Sequence, residues 1–111
     1  MGRVLLAGLP DSELDRYLKE APLHRLTNSA IVDRDSLRKQ ILMAREKGYA
    51  WIDGELDESI CGLAIAVKTM EGKVRGAINV ILPSETMDEA EAVEKYLTPL
   101  RNAAAQIRTA I

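Results

Sequence analysis

Residues 59–83, SICGLAIAVKTMEGKVRGAINVILP, constrain the fold more than any other part of the chain. Two runs rich in Val, Ile, Ala and Leu flank a charged cluster at 70–73, the pattern of two strands joined by a tight turn. The turn is placed at Glu71-Gly72 with Met70 opposite Lys73, although Glu accepts positive φ less readily than the Asn or Asp that such turns favour. Side chains alternate across a strand, so this register makes two unlike faces. Leu63, Ile65 and Val67 lie opposite Val80, Ile78 and Gly76, a bulky branched face suited to packing under helices. The other face pairs Gly62 with Ile81, Ala64 with Asn79, Ala66 with Ala77 and Lys68 with Arg75. It consists mostly of small side chains around one amide. Such a face either leaves room for a ligand oriented by Asn79 or receives a second helix, with Asn79 satisfied by backbone. A slip of one residue scrambles both faces.

At 111 residues the chain is expected to form one domain with its own core. Its net charge of −2, without a basic stripe, argues against a nucleic-acid surface. Aromatic residues are scarce and Phe is absent, so platforms for stacking single-stranded bases are missing too. No apolar run is long enough to span a membrane, and no signal peptide is recognisable. The single cysteine, Cys61, excludes an internal disulfide and suits a reducing cytoplasm. Inside an apolar strand it reads as a buried, inert thiol rather than a nucleophile.

From the amino terminus, the apolar run at 4–9 looks like the inside of an element. Asp11 is expected to cap a short helix reaching Glu20, with Leu14, Tyr17 and Leu18 on one face, and Pro22 ends it. Residues 23–32 are irregular; His24 has no second ligand at metal-binding spacing and reads as a surface or loop residue. Asp33 caps a second helix through Lys47, in which Leu37, Ile41 and Ala44 recur at helical spacing and Gly48 supplies a left-handed end. A short strand follows at 49–52. Next come Asp53, Glu55, Asp57 and Glu58, which lack the spacing and closing Glu of a calcium loop and read as a solvated turn. After the hairpin, Ala90, Val93, Leu97, Leu100, Ala104, Ile107 and Ile111 form one helical stripe, with a kink or break expected near Pro99. The element order makes an α+β fold with a mainly antiparallel sheet. Three strands leave an open edge unless a partner or further chain covers it.

No catalytic constellation can be assembled from these residues. One His and one Cys carry no signature around them, and neither a dinucleotide fingerprint nor a phosphate-binding loop is present. The inventory favours a binding module over an enzyme, with no cofactor and no metal site.

The chain resembles the carboxy-terminal, effector-binding domain of IclR-type bacterial transcription regulators. The resemblance rests on G-R-x-L-L-A at the start, R-L-T at 25–27, D-R-D-x-L-R at 33–38, R-E-x-G-Y-A at 45–50 and E-L-D-E at 55–58. The A-V strand before E-G-K-V and the closing L-x-P-L-R-x-A-A-A-x-I add to it. The A-I-N-V strand is similar to the branch governing aromatic catabolism. The resemblance implies a GAF/profilin-like antiparallel sheet with flanking helices and a long C-terminal helix. It implies a domain spanning residues 1–111, truncated at its amino-terminal side and without the winged helix-turn-helix that contacts DNA in such regulators. It also implies a small-molecule effector, a carboxylate metabolite, and assembly into a homo-dimer or tetramer in the cytoplasm, with no membrane. Family pocket positions fall at Ile52, Gly62, Asn79 and Ile81, three of them on the small-residue face, to which Ala64 also belongs. Relatives that bind small 2-oxo acids carry polar residues there. Here only Asn79 is polar, which implies an effector larger and less polar than glyoxylate or pyruvate. A structural assembly module with a vestigial pocket is the alternative.

Overall fold

The computed structural model describes residues 1–22, 33–55 and 57–110. The reading of residues 23–32, His24 included, lies outside the described residues, as does Ile111. Helices α1 (Gly2–Ala7), α2 (Asp11–Glu20) and α3 (Arg34–Lys47) precede strands β1 (Ala50–Asp53), β2 (Ile60–Lys68) and β3 (Val74–Pro83), and α4 (Glu89–Ala110) closes the order. The fold is α+β, and the described strands form an antiparallel sheet of order β1-β2-β3.

The hairpin register is as expected from Gly62↔Ile81 through Val67↔Gly76. It departs at the turn. Thr69, not Met70, faces Lys73, through Thr69 N–H donating to the Lys73 carbonyl at 2.8 Å. Gly72, at φ +86°, takes the left-handed position of a three-residue loop, so Glu71 is spared it. Lys68 therefore pairs with Val74 rather than Arg75, and Arg75 becomes the extra residue of a bulge.

The bulky face of the hairpin packs under α4. Leu63, Ile65 and Leu100 are buried there, with Ile78, Val80, Val93, Leu97, Tyr49 and Trp51 around them. Asp88 and Glu91 start the helix reciprocally: the Asp88 carboxylate accepts from Glu91 N–H at 2.8 Å, and Glu91 accepts from Asp88 N–H at 3.3 Å. The apolar stripe begins at buried Ala92 rather than Ala90, which is exposed. The helix also runs unbroken through Pro99. Proline removes a single helical hydrogen bond, and Leu97 and Leu100 on either side of it are anchored on the same sheet face.

The small-residue face is covered in part by α1 and α3. The apolar run at the amino terminus is helical, and its Val4 is buried with Ala44, Ala50 and Ala64, against Ala7, Ala66 and Ala77. In α3 the Asp33 side chain accepts from Ser36 N–H at 3.1 Å and Oγ at 2.7 Å, and Gly48 ends the helix at φ +82°, both as expected. Asp11 does not cap α2; Pro10 occupies that position without a side-chain bond. The Asp11 carboxylate instead receives Arg45 Nη1 at 2.7 Å, while the same guanidinium reaches the Ala7 and Leu9 carbonyls. Arg45 thereby ties the α1–α2 connection to α3. Leu14 and Leu18 pack on Ile41, whereas Tyr17 is exposed.

Candidate functional site

Alternation along β1 and β2 places Ile52 opposite Gly62 and Ala50 opposite Ala64. Helix α1 and helix α3 sit over the Ala50–Ala64–Ala66–Ala77 end of this face, so the helix-packing reading of small residues holds there. Toward the other end the face stays open. A cavity of about 170 Å³ is lined by Ile52, Gly62, Ala64, Asn79 and Ile81, with Met1, Ile60 and Cys61 completing it. The five positions singled out from the sequence thus line one concave site. At Gly62 an added Cβ would stand 3.0 Å from the Val80 carbonyl oxygen, so the close approach of β3 leaves little room for a side chain there. Ile81 forms an exposed rim, 62% accessible. The partly buried Asn79 side chain makes no hydrogen bond among the described residues.

Cys61 is 2% exposed, and its thiol donates to the Pro83 carbonyl at 3.6 Å. Burial pushes its pKa up, and the neighbouring charge of Asp53 pushes the same way, so the thiolate needed for nucleophilic chemistry is disfavoured. The acidic turn is not merely solvated. Glu55 receives both terminal nitrogens of Arg3, at 2.7 and 3.2 Å, and the Arg3 side chain is only 9% exposed. This bidentate pair pins α1 to the β1–β2 turn beside the cavity. Asp57 accepts from the Ser59 backbone and hydroxyl, and Asp53 from the Ser84 hydroxyl. The described residues hold no cluster of His, Cys, Asp or Glu arranged for a metal ion. No helix among them is long and apolar enough to cross a membrane.

Sequence reasoning did not anticipate Met1 and Ile60 as parts of the wall, or the Arg3–Glu55 clasp. The clasp joins residues 52 apart in the chain, and no local pattern signals such a pair.

The antiparallel sheet of β1, β2 and β3 with helices and a long C-terminal helix is the same architecture as that of a group of solved regulator domains. Residues 1–109 match the family model for the bacterial transcriptional regulator IclR C-terminal domain. The chain belongs to this family. It is 31% identical over 97 residues to the Pca regulon regulatory protein of Pseudomonas putida, covering 87% of this chain and 33% of that protein. A transcriptional-regulator structure from Rhodococcus sp. RHA1 superposes with a TM-score of 0.92 at 36% identity, covering 98% of this chain and 44% of that one. The PobR inducer-binding domain from Acinetobacter, solved as a double mutant with 3-hydroxybenzoic acid, superposes with a TM-score of 0.91 at 23% identity. That alignment covers 99% of this chain and 63% of the other, and it is a likeness of fold. The chain spans about a third of the length of the curated relatives it matches. These relatives are transcriptional regulators, not enzymes.

Proposed function

We propose that this chain is the effector-binding domain of an IclR-type transcription regulator and that its ligand is a carboxylate metabolite less polar than glyoxylate or pyruvate. The ligand's hydrocarbon part rests on Ile52, Gly62, Ala64 and Ile81, and Asn79 donates to its polar end. The supporting observation is a cavity of otherwise apolar or absent side chains around one amide that has no partner among the described residues. An amide in that position offers two donors and an acceptor, and apolar burial contributes roughly 25 cal/mol per Å². Assembly into a dimer or tetramer and a cytoplasmic location belong to the same reading. So does contact with DNA through a helix-turn-helix domain separate from this one.

A thermal-shift series with carboxylates from glyoxylate through hydroxybenzoates to fatty acids tests it. It includes 3-hydroxybenzoate, the compound bound to the PobR domain. A ligand at a hundred times its dissociation constant adds about 2.7 kcal/mol of stability. Asn79→Ala is expected to weaken binding about tenfold, the scale of one hydrogen bond to a charged group, and to melt cooperatively. Unchanged affinity in that variant would remove Asn79 from the site. A second reading, an assembly module whose cavity is covered by a neighbouring subunit, draws on the exposure of Ile81 at the rim. A cooperative melt that no carboxylate shifts favours it.

A further inference from the structure

On the other side of the sheet, where α4 passes the end of β2, a second cleft of about 170 Å³ is lined by Ile65, Lys68, Arg101, Ala104, Ala105 and Arg108. Three of these side chains are cationic and none is acidic. None of the three forms an ion pair among the described residues, whereas Arg3, Arg38, Arg45 and Lys47 each hold a carboxylate. Arg108 is partly spent, donating Nη2 to the Met70 carbonyl at 3.3 Å. Its Nε is buried and has no partner. A buried donor left unmatched costs its full desolvation. Arg101 and Arg108 stand seven residues apart, about two turns, on one face of α4. The small residues Ala104 and Ala105 between them leave the floor open. No aromatic ring lines the cleft, so recognition there rests on charge and guanidinium geometry.

We propose that this cleft binds a small phosphate-bearing molecule. The phosphate oxygens accept from the guanidinium groups of Arg101 and Arg108, whose planar forks match phosphate geometry, and Lys68 adds a compact third charge. Three cations around one cleft suit a single dianion. They do not form the continuous stripe needed to follow a nucleic-acid backbone, and the chain's net charge is −2. The site is separate from the carboxylate cavity and does not depend on it: the two share no lining residue, and Lys68, although on the face of Gly62 and Ala64, is the last residue of β2 and reaches the cleft beside α4 from the strand end.

The test is a titration of the chain with inorganic phosphate and with pyrophosphate at constant ionic strength balanced by potassium chloride, read from backbone amide chemical shifts. The expected result is a saturable shift at Lys68, Ala104, Ala105 and Arg108, without a matching shift at Gly62 or Asn79. Arg101→Gln and Lys68→Gln replace exposed side chains, and each is expected to weaken binding by about tenfold, the scale of a lost charge-assisted hydrogen bond. Lys39→Gln, on α3, is expected to leave the constant unchanged. Shifts that grow linearly without saturating would overturn the proposal, as would identical constants in Arg101→Gln, Lys68→Gln and the unaltered chain. Tighter binding of mixed-sequence duplex DNA than of pyrophosphate, at equal phosphate concentration, would also overturn it and mark a nucleic-acid surface instead.

Discussion

A Cβ placed on Gly8 would stand 2.3 Å from Val74 Cγ2 and 2.8 Å from Val74 Cβ, where the end of α1 meets the start of β3. Gly8→Ala is therefore expected to destabilise the domain by about 1–3 kcal/mol, the usual cost of forcing extra volume into a packed contact. Gly2→Ala, with nothing within 4 Å of the added methyl, serves as the control in the same urea titration. Cys61 gives a second expectation at this scale. Its raised pKa leaves little thiolate at pH 8, so an aromatic disulfide reagent should label it slowly in buffer and fast in denaturant. Equal rates in both would mean that the thiol is accessible in the native state. The cavity residues on the hairpin could be read from sequence because strand alternation is a local rule: once the register is placed, Gly62, Ala64, Asn79 and Ile81 share a face. The bidentate Arg3–Glu55 pair and the Gly8–Val74 contact follow from no such rule, since both depend on where α1 comes to rest.

Helix α3 was the most legible element because its signals sit within a few residues of its ends: Asp33 at the start and Gly48 at the finish. Asp33 also makes stability depend on pH. Hydrogen bonds from Ser36, side chain first and then backbone, hold its carboxyl below the usual aspartate range in the folded protein. Its contribution is fully present above the unfolded value and is lost as pH falls through the folded one. Asp33→Ala should accordingly lower the melting temperature at neutral pH and have a much smaller effect in acid below the aspartate range. An equal loss at both would rule out the ionised cap as the cause. Asp11 has the same sequence signature yet caps nothing, because Arg45 from α3 competes for its carboxylate. Composition at a helix start identifies candidates, and tertiary charge decides among them. The hairpin turn misread follows similar logic. Glu71-Gly72 looks like a two-residue turn, but only Gly72 bears positive φ cheaply, so the loop takes in Met70 and the strand absorbs the difference at Arg75.

At the scale of the molecule, the chain forms a plate of 37 × 37 × 19 Å in which, among the described strands, β2 is paired on both sides. Strand β3, ten residues long, has one edge unpaired among the described elements. Amide hydrogen exchange on the dilute protein should therefore be slowest in β2 and should alternate along β3, where every second N–H faces away from the ladder. Uniform protection along β3, appearing as concentration rises, would show self-association through that edge. The open edge was foreseeable from a count of strands. The division of the small-residue face was not, because it depends on how far α1 and α3 extend across it. Central β2 has one further consequence. Odd positions such as Leu63 and Ile65 hold α4, while even positions such as Gly62 and Ala64 border the cavity, so neighbouring codons answer to different selection. A complete substitution map of this strand should beat with a period of two, odd positions tolerating only bulky apolar side chains and even positions such as Gly62 and Ala64 only small ones.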